Sequence, residues 1–228
     1  MHTYRAKNNV VTSSSRDDKA TFYEGFAEQW DAHMDLDELG KRLRLVFGGL
    51  LSRDEVAGKR VLDAGGGTGH FSRRLCEWGG KVTVVDVGEK LLEEVRKKAP
   101  VETVCGSVLE LPFDEGRFDV VFCTEVIEHT TDPARAVAEL CRVAAPGGIM
   151  VLTVPNRVWK PAVWVANAFK LRPYGGYENW VGDRPLRRWI DAAGLSVETQ
   201  LGFNLLPHTR FCRPAFDGID RLSSLHPG

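Results

Sequence analysis

The segment VLDAGGGTGHFS, residues 61–72, constrains this chain more than any other. An apolar run passes directly into four glycines and then into an amphipathic stretch. A strand that turns sharply into a helix has this form, and the missing side chains let another group approach the backbone at the helix N-terminus. Downstream, short apolar runs keep alternating with amphipathic ones up to Val154, the pattern of a parallel sheet wrapped by helices. Strands are expected at 60–64, 81–86, 101–105, 118–123 and 148–154. Helical faces are expected at Phe71, Leu75 and Trp78, at Leu91, Leu92, Val95 and Ala99, and at Val137, Leu140 and Ala144. The last of these helices has a start signal in Asp132 followed by Pro133, and a stop in the PGG at 146–148.

Two helical patterns, 19–33 and 37–51, precede the first strand. After the fifth, residues 156–182 crowd Trp159, Trp164, Phe169, Tyr174, Tyr177 and Trp180 among prolines and glycines, which reads as an inserted lid. DRPLRRWIDAAGL resembles a helix ending at Gly194, SVETQLGF alternates as an edge strand does, and the tail from 204 has amphipathic helical spacing. The organisation expected is a polar, loosely attached lead over 1–18 and one domain over 19–228, comprising a helical cap (19–52), the lid and the tail.

The balance of 30 Lys+Arg against 31 Asp+Glu gives a formal net charge of -1, which disfavours a dedicated DNA binder and, less strongly, an RNA-modifying enzyme. The cysteines at 76, 105, 123, 141 and 212 form no CxxC pair, so neither a zinc knuckle nor a thioredoxin motif is present. Their scatter reads as reduced thiols in a cytosol. No apolar run approaches the ~20 residues of a membrane span, and the polar first twenty residues do not read as a secretory signal. A cytoplasmic protein, monomer or homodimer, is expected.

Glycine spacing narrows the chemistry. Gly65, Gly67 and Gly69 give GxGxG, whereas a dinucleotide fingerprint needs GxGxxG, whose last position falls on His70. No Lys-Ser/Thr pair follows, so the turn is not a P-loop. Asp86, seventeen residues beyond Gly69, closes the second strand, where a carboxylate can accept hydrogen bonds from both hydroxyls of a ribose. His70 is expected to be a packing or supporting residue.

With VLDAGGGTG, VTVVDV, GSVLELPF, FDVVFCTEVIEH and the APGG-strand-PN segment together, residues 19–203 resemble the class I S-adenosylmethionine-dependent methyltransferases. The resemblance implies a Rossmann-like α/β fold with a seven-stranded, mostly parallel sheet and helices on both faces. It implies S-adenosyl-L-methionine as cofactor, with Asp63, Gly65, Gly67 and Gly69 at the methionine end, Asp86 at the ribose, Ser107 and Val108 at the adenine, and Thr124 on the cofactor side. Two departures stand out: Ser107 occupies a position that is often acidic in the family, and no seventh strand follows SVETQLGF. The segment FYEGFAEQWDAHM is similar to the family's cap helix. Its Tyr23, Phe26 and Trp30 share a face that either closes over the cofactor or packs on the sheet. LRL around Arg44 looks like a segment of quinone-biosynthesis methyltransferases whose arginine pairs with the cofactor carboxylate.

TEVIEHTTDP follows the fourth strand at the sheet edge where open α/β folds bind ligands. Read as a helix, it places Glu125, Glu128 and His129 on one face. Such a cluster can hold Mg²⁺ or another divalent ion, and the pentapeptide resembles that of ubiquinone-biosynthesis O-methyltransferases and of small-RNA 2′-O-methyltransferases. Alternatively His129 acts as general base without metal, with Glu128 orienting it and Glu125 facing the cofactor, or the turn is only solvated. The expected activity is methylation of a small-molecule hydroxyl on a quinone precursor, sugar or secondary metabolite, with Glu125, Glu128 and His129 as catalytic residues. N-methylation and a non-catalytic binding protein remain the other readings. Lys160, Lys170 and Arg172 beside the lid aromatics, with the amphipathic tail, also leave room for peripheral membrane contact.

Overall fold

The structure, a computed structural model, describes residues 36–157, 160, 161, 164 and 179–201. Tyr23, Phe26, Trp30, the N-terminal lead, most of the lid, His208, Cys212 and the tail lie outside the described residues.

Five strands appear where the apolar runs predict them: β1 (Arg60–Ala64), β2 (Lys81–Asp86), β3 (Glu102–Cys105), β4 (Phe118–Thr124) and β5 (Ala144–Thr153). All pair in parallel, in the order β3-β2-β1-β4-β5. The helices are α1 (Leu36–Leu45), α2 (Arg53–Val56), α3 (His70–Glu77), α4 (Glu89–Lys98), α5 (Pro133–Val143) and α6 (Asp183–Ala192). Because successive strand residues face opposite ways, each strand feeds two cores. Val61, Val84, Val120 and Phe122 pack with Val46, Leu75, Leu92 and Val95 from α3, α4 and the end of α1. Leu62, Val85, Val121 and Cys123 pack with Ala136, Val137, Leu140 and Ile190 of α5 and α6. Each large apolar side chain buried this way contributes roughly 1.5–3 kcal/mol.

The strand order reverses between β1 and β4, and a crevice opens at the carboxyl ends of strands on either side of such a reversal. The VLDAGGGTG turn and the EVIEH turn both begin there. At the opposite edge of the sheet, where β4 and β5 begin, Arg142 of α5 donates to the carbonyls of Phe113 (2.7 Å) and Leu111 (3.0 Å), while Glu139 accepts from the Leu111 amide at 2.8 Å. Those bonds hold the β3–β4 connection, which forms no helix, against α5.

The second helical pattern ends earlier than 51 as an α-helix. After Leu45 the chain widens into a π-turn over Val46–Leu50, where Gly48 and Gly49 carry no side chain to support a regular turn. Phe47 in that turn packs edge-on against Trp78 (centroids 4.9 Å apart) and lies over Phe122 (6.3 Å), which anchors the end of α1 to α3 and β4. The α5 stop also falls earlier than PGG, at Val143, and Ala144 already pairs with Phe118 in the sheet.

One expectation is overturned: the described part of SVETQLGF, up to Leu201, is not a strand. Val197 does face the core, but Gln200 donates to Asp183 at 2.8 Å and accepts from Arg187, so side-chain bonds hold the segment along α6. Alternation alone does not supply a ladder partner. Among the described residues the sheet therefore has five strands, not seven. No helix among them is long and apolar enough to cross a membrane. Trp164, in the expected lid, is 72% exposed.

Asp132 accepts from the Arg135 amide at 3.0 Å, the N-cap bond its position before Pro133 predicts. Asp132→Ala is expected to lower stability by about 1 kcal/mol, read as a shift of the urea midpoint at constant slope.

Candidate active site

Glycine is required twice in the loop after β1 for different reasons. Gly65 has φ +76°, and a Cβ there would lie 2.3 Å from Cγ2 of Val126, so β1 and the EVIEH turn touch through its bare Cα. Gly69 has φ +84° and caps α3, with the Val95 backbone 3.2 Å from where a Cβ would be. Gly67, at φ +54°, has no described residue within 4 Å of a Cβ position, which leaves open space above the loop among the described residues. From below, Lys98 of α4 donates to the Thr68 carbonyl at 2.8 Å and fixes the loop from the side.

The two aspartates at the strand ends are both buried. Asp63 lies under Gly66 and accepts a hydrogen bond from the Ser72 hydroxyl of α3. Burial pushes its carboxyl up to about 7, only partly offset by that bond. Asp86 accepts from the amides of Gly67 (3.0 Å) and Gly88 (3.1 Å), and burial raises its carboxyl despite those donors. A carboxylate bridging the glycine loop to the end of β2 suits a group with paired hydroxyls lying across both. Beyond β3, the Ser107 hydroxyl accepts from its own loop at the Leu109 amide (3.2 Å), and Val108 is buried. Thr124 ends β4, half-buried.

The EVIEH turn departs from the expected helix. Glu125 adopts φ +55°, a left-handed conformation that non-glycine residues rarely take, and only Ile127–His129 form a short 3₁₀ turn, closed by the His129 amide on the Val126 carbonyl (2.9 Å). Glu125, Glu128 and His129 therefore share no helical face. Glu125 turns to Arg42 of α1 (3.5 Å) and accepts from the Thr153 hydroxyl at 3.0 Å. Glu128 is 1% exposed, and His129, with a 23% exposed side chain, places Nε2 3.9 Å from a Glu128 carboxylate oxygen. Val126 and Ile127 do pack into the core as expected. Asn179, entering from the lid segment, ties the turn down: its amide donates to the Glu128 carbonyl (2.7 Å) and its side chain to the Thr130 carbonyl (2.5 Å). Cys123 beneath the turn is fully buried, and burial together with the nearby Glu128, Asp63 and Glu125 charges keeps its thiol protonated.

Glu125 is bonded to Arg42 and Thr153, and among the described residues no three His, Cys, Asp or Glu side chains are placed to hold a metal. The helical reading of EVIEH, on which the metal set Glu125, Glu128 and His129 rested, is corrected by the left-handed Glu125.

Residues 62–152 match the family described as a methyltransferase domain. The ubiquinone biosynthesis O-methyltransferase of Coxiella burnetii strain RSA 493 is 30% identical over 163 residues, covering 67% of this chain and 70% of that protein. The chain belongs to the class I S-adenosylmethionine-dependent methyltransferases. The Pseudomonas aeruginosa PAO1 protein of the same name is 29% identical to this methyltransferase over 208 residues, 86% of this chain and 90% of that one. Two solved structures share its fold. An S-adenosylmethionine-dependent methyltransferase of Mesorhizobium loti superposes with a TM-score of 0.60 at 19% identity over 73% of this chain and 88% of that one. The PH0226 protein of Pyrococcus horikoshii does so with 0.60 at 21% over 80% and 94%.

In the methyltransferase the glycine loop, Asp86 and Thr124 stand at the carboxyl ends of β1, β2 and β4, Ser107 and Val108 follow β3, and Glu125, Glu128 and His129 follow β4. Arg44 is a correction: it is exposed, and its guanidinium folds back to within 3.3 Å of a Cβ position at Gly40. Arg42 faces the site instead. It lies one helical turn before Val46, which is 1% exposed, and that spacing was a usable signal for the inward face. Arg44 sits two residues on, across the helix. Asn179 and Thr153 had no such signal, because the fold alone brings distant segments onto the turn.

Proposed function

We propose that the chain transfers the S-adenosylmethionine methyl group to a hydroxyl of a small molecule, with His129 removing the hydroxyl proton. One observation carries the reading: a partly exposed imidazole at the carboxyl edge of β4, 3.9 Å from a carboxylate buried to 1%, on a turn whose Val126 touches Gly65 of the glycine loop. When bound, the cofactor supplies an electrophilic methyl on a sulfonium. The loop and Asp86 fit it, since the open space above Gly67 lies beside the Asp86 carboxylate that spans Gly67 and Gly88. In this reading the main chain at Gly65, Gly67 and Gly69 holds the methionine end, Asp86 the ribose hydroxyls, and the Ser107–Val108 segment the adenine. Asp63 acts from below by fixing the loop through Ser72.

The protein's own part is positioning and proton removal. Glu128, taken out of water, stabilises the imidazolium that forms as His129 accepts the proton. Relatives named as ubiquinone biosynthesis O-methyltransferases support oxygen as the acceptor atom and a quinone precursor as the acceptor class. The geometry of Glu125 favours the metal-free form of this chemistry.

Methyl transfer from labelled S-adenosylmethionine to a panel of catechols, phenols, sugars and amines, with and without EDTA, tests it. Label is expected on a hydroxyl oxygen, at a rate unchanged by the chelator. Label on nitrogen would overturn the acceptor class, and a rate abolished by EDTA and restored by Mg²⁺ would overturn the metal-free base.

A further inference from the structure

Glu125 raises a specific physical question, because a non-glycine residue held at φ +55° costs on the order of 1–3 kcal/mol and persists only where its surroundings over-determine it. Among the described residues three bonds do so. The Glu125 amide donates to the Thr153 carbonyl (3.1 Å), its carboxylate accepts from the Thr153 hydroxyl (3.0 Å), and Arg42 Nη2 lies 3.5 Å from its other oxygen. The first two come from β5, the strand adjacent to β4: one extends the ladder and the other ties the carboxylate to that strand's last residue. The third comes from α1, outside the sheet, and that helix is anchored through Phe47 against Trp78 and Phe122.

The conformation at Glu125 sets everything after it. It turns the chain out of β4 so that Val126 lands on Gly65, and the Val126 carbonyl then receives the His129 amide that closes the 3₁₀ turn. With an ordinary negative φ at 125, the chain would leave β4 in another direction and His129 would move with it. The pair is also partly shielded, with side chains 29% and 20% exposed, so its attraction is screened less than that of a surface bridge.

We propose that Arg42 is a positioning residue for methyl transfer: by holding Glu125 in its left-handed conformation from α1, it aims the turn that carries Glu128 and His129. The proposal rests on the reading of His129 as the base. It assigns Arg42 no contact with substrate, and it gives the helix before the sheet a direct hold on the catalytic turn.

Glycine tests it, because glycine adopts φ near +55° without support. Four proteins are compared: wild type, Arg42→Ala, Glu125→Gly and the double variant. Two readouts are used in the full chain with S-adenosylhomocysteine or S-adenosylmethionine bound. One is kcat with the best catechol of the panel. The other is the ¹⁵N-histidine ring signal of His129, assigned by its absence in His129→Asn. Arg42→Ala is expected to lower kcat about tenfold or more, as misplacement of a catalytic group does, to leave the KM for S-adenosylmethionine unchanged, and to shift the His129 signal. Arg42→Lys should restore most of the rate. In the Glu125→Gly background, whatever that variant's own rate, Arg42→Ala should add no further change to either readout.

An equal loss from Arg42→Ala in both backgrounds, a rise in KM with kcat unchanged, or a His129 signal that Arg42→Ala shifts equally in both backgrounds would each overturn the proposal. So would an unmoved His129 signal in Arg42→Ala. Full turnover in His129→Asn would defeat the base assignment alone, since kcat in the four proteins still reads the effect of Arg42.

Discussion

His129→Ala is expected to lower kcat by about 10²- to 10⁴-fold, the usual contribution of a positioned general base, with affinity for S-adenosylhomocysteine unchanged. The separation follows from where the residue stands. The groups proposed to face the cofactor, Asp86 and the loop main chain at Gly67, belong to β1, β2 and their exits. His129 stands two residues past Ile127, whose side chain is fully buried, so removing the imidazole leaves the anchor of the turn in place. The acid limb of the pH–rate profile should disappear with the imidazole, because the proton acceptor is gone. Glu128→Gln is a graded companion. It keeps the buried shape and removes the charge that favours the imidazolium, so kcat should fall while the fold survives. A His129→Ala enzyme with full turnover would place the base elsewhere or show that the acceptor arrives already ionised.

The second large effect separates two glycines that stand two residues apart in the chain. Gly65→Ala is expected to destabilise the fold by about 2–4 kcal/mol, combining the left-handed backbone penalty with overpacking. Its Cβ would stand 2.3 and 2.8 Å from the two methyl carbons of Val126. Val126 is β-branched and stiff at χ1, so the clash is relieved only by parting the loop from the EVIEH turn. Thermal melting should drop by several degrees per kcal/mol, and S-adenosylhomocysteine binding should be lost with it. Gly67→Ala should behave differently. Its Cβ meets no described residue within 4 Å, so only the φ +54° penalty, about 1–2 kcal/mol, applies. A folded Gly67→Ala protein that no longer binds S-adenosylhomocysteine calorimetrically would mark the space above Gly67 as the cofactor's. Unaltered binding would place the cofactor elsewhere.

The same two positions show what could be read before the fold was known. GxGxG following an apolar run, with an aspartate seventeen residues further on, carried the turn, the strand ends and the methyltransferase resemblance, because backbone conformation and hydrophobic alternation are local properties. The five strands fell within a few residues of expectation for the same reason, most directly β1, β2 and β4, which are buried along most of their length and must be apolar there. Alternation misled at 196–201, where apolar and polar residues do alternate but the segment binds α6 through Gln200. A period of two reports which face is buried, not whether a neighbouring strand is there to pair.

The sequence by itself determined that this chain is a parallel α/β domain with a glycine turn for a nucleoside-bearing cofactor and an acid–imidazole cluster at the adjacent strand end. Those conclusions rest on residue types and short spacings. Only the tertiary structure decided what the cluster is. A left-handed Glu125 breaks the helix that the i, i+3, i+4 spacing suggests, Arg42 rather than Arg44 reaches it from α1, and Asn179 holds the turn from 50 residues away in the chain. Each depends on segments distant in sequence meeting at the strand reversal between β1 and β4, and a local pattern holds no information about which of two arginines on opposite faces of a helix will find a partner there.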